Sequence, residues 1–141
     1  MAHTNPGHDE LRQLLTSATT IAMVGASGNP DKASHGIMQR LQQVGYRVIP
    51  VNPREPEILG ERSYASLLDI PERIDIVDVF RRAEDTPSIA DDAVKIGAKV
   101  LWLQSGISNE ETARRAEAGG ARVVMDACIG ATHSMLQVAR K

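Results

Sequence analysis

Three cations stand at separate points of the chain: Lys32 near Ser34, Arg54 after Asn52-Pro53, and Arg81 after Phe80. Lys32 also follows Gly25-Ala26-Ser27-Gly28, a run with so little side-chain bulk that a diphosphate can approach backbone N–H groups. A helix starting near Ala33 would add the favourable field of its N-terminus, and the Ser34 hydroxyl a further donor. The chemistry these types suit is anion binding. The bland alternative is a tight turn of small residues, a capping serine and solvated cations.

The residues around Arg54 narrow the ligand. Domains that bind NAD place an acid after the second strand for the ribose diol. Here Asn52-Pro53-Arg54 stands there, and the nearest acid, Glu55, follows the arginine. Arg54 would pair instead with a phosphate on an adenosine ribose, the 2′-phosphate of NADP or the 3′-phosphate of coenzyme A. Pro53 also suits a turn with Arg54 in water. Gln104, Ser105 and Gly106 follow another apolar run, where two side chains can hydrogen-bond a ligand and glycine permits close approach.

Catalytic chemistry is harder to find. Asp126, Cys128 and His133 have the types of a nucleophilic triad, but they crowd a terminal segment in which no helix start or glycine elbow is expected to activate the thiol. A buried, inert Cys128 is the simpler reading. The four histidines show no metal-ligand spacing. No catalytic residue and no metal site are assigned.

The elements that would position these residues alternate. Strand-like runs span 20–25, 46–51, 75–80, 99–104 and 122–126, with helix-like segments at about 34–44, 65–69, 87–96 and 109–118 and a leading helix from His8 to Ser17. Pro50 removes a ladder donor and predicts irregularity near the end of its strand. The pattern predicts an α/β, Rossmann-like, doubly wound sheet of about five parallel strands with helices on both faces. Residues 1–7 read as a flexible tail and 8–141 as one domain, the size that 141 residues allow.

Composition excludes other classes. A net charge of −2 leaves no footprint for nucleic acid, and one Trp, two Tyr and one Phe make no base-stacking platform. No apolar run approaches a membrane span and no signal-peptide layout opens the chain, so a cytoplasmic protein is expected.

Ordered motifs add a resemblance. Gly-Ala-Ser-x-x-Pro-x-Lys (25–32), Val-Ile-Pro-Val-Asn-Pro (48–53), Ile-x-Gly-x-x-x-Tyr-x-Ser-Leu (58–67), Asp-Ile-Val-Asp-Val-Phe-Arg (75–81), Trp-Leu-Gln-Ser-Gly-Ile (102–107) and Val-Val-Met-Asp-x-Cys (123–128) run through the chain. Together they resemble the stand-alone CoA-binding domain proteins, themselves similar to the CoA-binding domain of the succinyl-CoA synthetase alpha subunit and of ADP-forming acyl-CoA synthetases. The resemblance covers about residues 10–135. It departs at Ala127, where an arginine is common, and over 129–132. It implies coenzyme A or an acyl-CoA as the small-molecule ligand. Gly25, Ala26, Ser27 and Lys32 would then lie near the phosphates, Asn52, Pro53 and Arg54 around the adenosine 3′-phosphate, and Phe80, Arg81 and Gln104 to Gly106 along the pantetheine arm. The synthetases ligate with further domains bearing a phosphorylated histidine and an ATP grasp. Neither is in these residues, so binding without catalysis is expected, as a carrier, sensor or regulatory module. The alternative is an NADP-binding reductase-type domain. A homodimer or another protein partner is left open.

Overall fold

The computed structural model describes residues 2–141. Five parallel strands, β1 (Thr20–Val24), β2 (Arg47–Val51), β5 (Ile76–Val79), β6 (Val100–Leu103) and β7 (Arg122–Val124), form one sheet in the order β2-β1-β5-β6-β7. A two-stranded antiparallel hairpin, β3 (Glu57–Ile58) and β4 (Glu61–Arg62), follows β2. The helices are α1 (His8–Ser17), α2 (Ala33–Gln43), α3 (Thr86–Lys95), α4 (Glu110–Ala118) and α5 (Ile129–Met135). This is the expected doubly wound, Rossmann-like sheet.

The apolar strands are continuous because both faces are covered. On one face Ile21, Met23, Ile76, Trp102 and Val124 pack under α1, α2 and α5 through Leu15, Met38, Leu41 and Ile129. On the other, Ala22, Val24, Ile49, Val77, Val79 and Leu101 meet the alanines of α3 and α4. Neighbours β2 and β5 flank β1, so strand order reverses there. In such sheets the crevice beyond that point is where ligands bind. No described helix is long and apolar enough to cross a membrane.

Several local expectations change. Pro50 leaves β2 regular: the Arg47 N–H donates to the Thr19 carbonyl and the Gly25 N–H to the Val51 carbonyl, so odd-numbered β2 residues face β1. Pro50 and Asn52 face the outer edge, where the Pro50 carbonyl accepts from Tyr64 N–H and the missing proline donor breaks no rung with β1. The helix expected over 65–69 is a single 3-10 turn, Leu67–Asp69, started by Ser66 Oγ accepting the Leu68 N–H. The last strand stops at Val124 rather than at 126, and Asp126 has turned to φ 54°. The hairpin and α5 were not expected at all.

The expected loose tail is pinned as well, apart from Met1, which lies outside the described residues. Asn5 bonds both backbone groups of Met125, its Oδ1 accepting the N–H at 2.9 Å and its Nδ2 donating to the carbonyl at 2.8 Å. That closes the exposed end of the β7 edge. Asn5→Ala should lower unfolding free energy by about 1–3 kcal/mol, read by chemical denaturation; unchanged stability would mean that water replaces the amide without loss.

Candidate functional site

Gly25 ends β1 with φ 87° and a Cβ position only 2.4 Å from the Phe80 carbonyl oxygen. Its N–H donates to the Val51 carbonyl, so the ends of β1, β2 and β5 converge on this residue. Beyond it the loop is built from its own side chains. Ser27 Oγ accepts the Asn29 N–H at 3.0 Å, Asn29 Oδ1 accepts the Asp31 N–H at 2.9 Å, and His35 Nδ1 donates to the Ser27 carbonyl at 3.0 Å. The loop then enters α2 with Lys32 at its N-cap.

A second loop braces the first. Asn52 Nδ2 donates to the Ala26 carbonyl at 2.9 Å, while its Oδ1 accepts the N–H groups of Arg54 and Glu55 at 2.7 and 3.1 Å. Asn52 therefore makes the turn that Pro53 was expected to make, as asparagine side chains do when they mimic a backbone turn. This leaves the Arg54 side chain exposed.

Between the loops lies a groove of about 570 Å³, lined by Gly25, Ala26, Ser27, Lys32, Ala33, Ser34, Val51, Asn52, Pro53, Arg54, Phe80 and Arg81. Ten of the twelve site residues expected from the sequence are in it. Four backbone N–H groups on its wall, those of Ala26, Ser27, Ala33 and Ser34, bond no other described residue. Among the described residues, Lys32, Arg54 and Arg81 also have no carboxylate partner, whereas Arg82 next door pairs with Glu84 and Asp85. Unmatched donors and cations at a helix start make an anion cradle. A second cavity of about 560 Å³ shares Val51, Pro53 and Arg81 and continues past Ser66, Leu67 and Ile89.

The other two expected residues lie elsewhere. Gln104 is buried, and its Oε1 accepts the Ile129 N–H at 3.1 Å, so it ties β6 to the start of α5. The Gly106 N–H donates to Asp126 Oδ1 at 2.6 Å. The sequence put both at a strand end correctly, but the end bends toward the chain's own last segment.

No triad assembles either. A helix does begin after Cys128, contrary to expectation, but Gln104 already takes its Ile129 N–H, and Asp126 is spent on Gly106. Cys128 is half-buried rather than fully buried. His133 is buried with its ring edge-on to Tyr46 at 5.7 Å, and burial pushes its pKa below the usual histidine value. No group of three potential metal ligands occurs among the described residues.

The placement of two acids was not expected from the sequence. Glu55 reaches back to bond the Gly28 N–H. Asp78, on β5 between Met23 and Trp102, is fully buried with neither oxygen bonded, and burial pushes its carboxyl well above the usual range. The motif Asp-Ile-Val-Asp-Val-Phe could have flagged it, since an acid inside an apolar strand run must be buried.

Comparison with known proteins shows the family and the fold. The profile of the family described as CoA binding domain matches residues 19–134. The Bacillus subtilis protein YneT is 40% identical over 131 residues, covering 93% of this chain and 97% of that one. A solved structure from Pyrococcus horikoshii superposes with a TM-score of 0.91 at 37% identity, covering 97% of this chain and 99% of that one. The ADP-forming acetate–CoA ligase II of Archaeoglobus fulgidus is 32% identical over 104 residues, 72% of this chain but only 15% of the ligase.

Proposed function

We propose, from the premise that this chain belongs to the CoA-binding domain family, that it binds coenzyme A or an acyl-CoA at the strand C-terminal edge without catalysing a reaction on it. The observation that carries this reading is the cradle of unbonded N–H groups at Ala26, Ser27, Ala33 and Ser34, ringed by Lys32, Arg54 and Arg81. The N–H groups and Lys32 take the diphosphate, Arg54 the 3′-phosphate, and Arg81 stands where the groove meets the second cavity. That cavity, with Pro53, Leu67 and Ile89 among its lining, suits a flat apolar base. With no catalytic residue assigned to the groove, the role in this reading is that of a carrier, sensor or regulatory module.

Calorimetric titration with CoA, dephospho-CoA, NAD and NADP tests it. Saturable CoA binding, weaker for dephospho-CoA, is the expected result. Arg54→Ala should weaken CoA by about 1.5–3 kcal/mol, the range for a charge-assisted bond, while leaving dephospho-CoA nearly unchanged. Binding of NADP alone would replace this reading with the reductase-type one.

A further inference from the structure

Gly28 belongs to the glycine-rich loop, yet its φ is not positive, so backbone conformation does not demand glycine there. Glu55 does. A Cβ on residue 28 would lie 2.3 Å from Glu55 Oε1. Both carboxylate oxygens accept the Gly28 N–H, at 3.2 and 3.0 Å, and Oε2 also accepts from Asn52 Nδ2 at 3.1 Å. The glycine thus makes room for a carboxylate of the chain itself, tied to the residue after Ser27 and to Asn52; Ser27 and Asn52 line the groove. Glu55 remains partly exposed, with lone pairs to spare. Its neighbour Arg54 lines the groove. One turn, set by Asn52, therefore holds a fixed negative and a positive group side by side.

We propose that Glu55 is a specificity-determining residue that selects the position of the phosphate on the ligand's ribose. This rests on the CoA reading. A ribose phosphorylated on one of two adjacent carbons carries a hydroxyl on the other. The carboxylate accepts a hydroxyl and repels a phosphate, and the guanidinium prefers the phosphate. An unanchored glutamate would swing away from the wrong isomer; Glu55 is tied by Gly28 and Asn52 and holds its charge in place. The 3′-phosphate of CoA is accepted and the 2′-phosphate of an NADP-type ligand is rejected.

The test titrates adenosine 3′,5′-bisphosphate, its 2′,5′ isomer of equal charge, and CoA into the wild type, Glu55→Gln and Gly28→Ala. The wild type should favour the 3′ isomer by about tenfold or more, because a fixed carboxylate beside a phosphate is strongly repulsive at a partly desolvated site. Glu55→Gln keeps an acceptor for Gly28 but loses the charge. It should bring the isomers within about threefold, chiefly by gaining affinity for the 2′ form. Gly28→Ala should do the same with the charge kept, because its Cβ evicts the carboxylate; it decides the matter if Glu55→Gln fails to fold. An isomer ratio unchanged in the variants, or equal losses for both isomers as a merely structural tie would produce, overturns the inference. A wild type that binds CoA without isomer preference overturns it alone. A wild type that binds neither CoA nor either isomer overturns the CoA reading and this inference together.

Discussion

Gly25→Ala should abolish measurable CoA binding and destabilise the protein by about 3–5 kcal/mol, the range of severe packing and backbone defects. Two independent penalties meet at this residue. With φ 87° it occupies backbone space that an L side chain enters only with strain. Its Cβ would also stand 2.4 Å from the Phe80 carbonyl oxygen, which is backbone and cannot turn aside. Relief requires the end of β1 to part from the end of β5, and the groove lies between these ends. The unbonded N–H groups of Ala26 and Ser27 would move with it. Thermal denaturation and a CoA titration on the same variant check both halves; a variant of wild-type stability that still binds would show that the ends can separate without consequence.

Asp78→Asn should stabilise the protein at neutral and alkaline pH. Burial, with no partner for either oxygen, pushes the native carboxyl's pKa well above the usual carboxylate range. An unfolded aspartate ionises near pH 4. Below that value both states carry the proton and nothing is lost. Above it only the unfolded chain releases the proton, so stability falls as pH rises, by about 1.4 kcal/mol per unit, until the raised native value is reached. Asparagine has nearly the same shape and does not titrate. Its advantage should therefore grow as pH rises from 5 towards 8 and shrink as pH falls. His133 works in the opposite direction: its lowered value means stability is lost as pH falls below the usual histidine range. Wild type and variant share His133, so their difference isolates Asp78. A difference constant from pH 5 to 8 in denaturant titrations would refute the linkage.

The residues that line the groove were more legible than some of the elements around it. Gly25, Lys32, Arg54 and Arg81 were found because each ends a strand or starts a helix, and in a parallel sheet all such ends lie on one edge. The same logic misplaced Gln104 and Gly106. They too sit at a strand end, but β6 lies two strands from β1, and its end is closed over by Asp126 and α5. The helix α5 itself has seven residues and contains Gly130 and two β-branched residues, too short and too poor in helix formers to announce itself.

Alternating apolar runs and helical periodicities determined the doubly wound sheet from the sequence alone, and the run of small residues determined the tight turn after β1. Both are local properties: period, bulk and φ preference are written within a few consecutive residues. The tertiary structure alone decided that Asn5 would close the β7 edge, that Gln104 would bond the start of α5, and that Glu55 would seat on Gly28. The residues of these pairs stand 120, 25 and 27 positions apart. Which of them meet is set by strand register and loop path. Those follow from burying two apolar sheet faces at once, a condition on the whole chain that no single segment expresses.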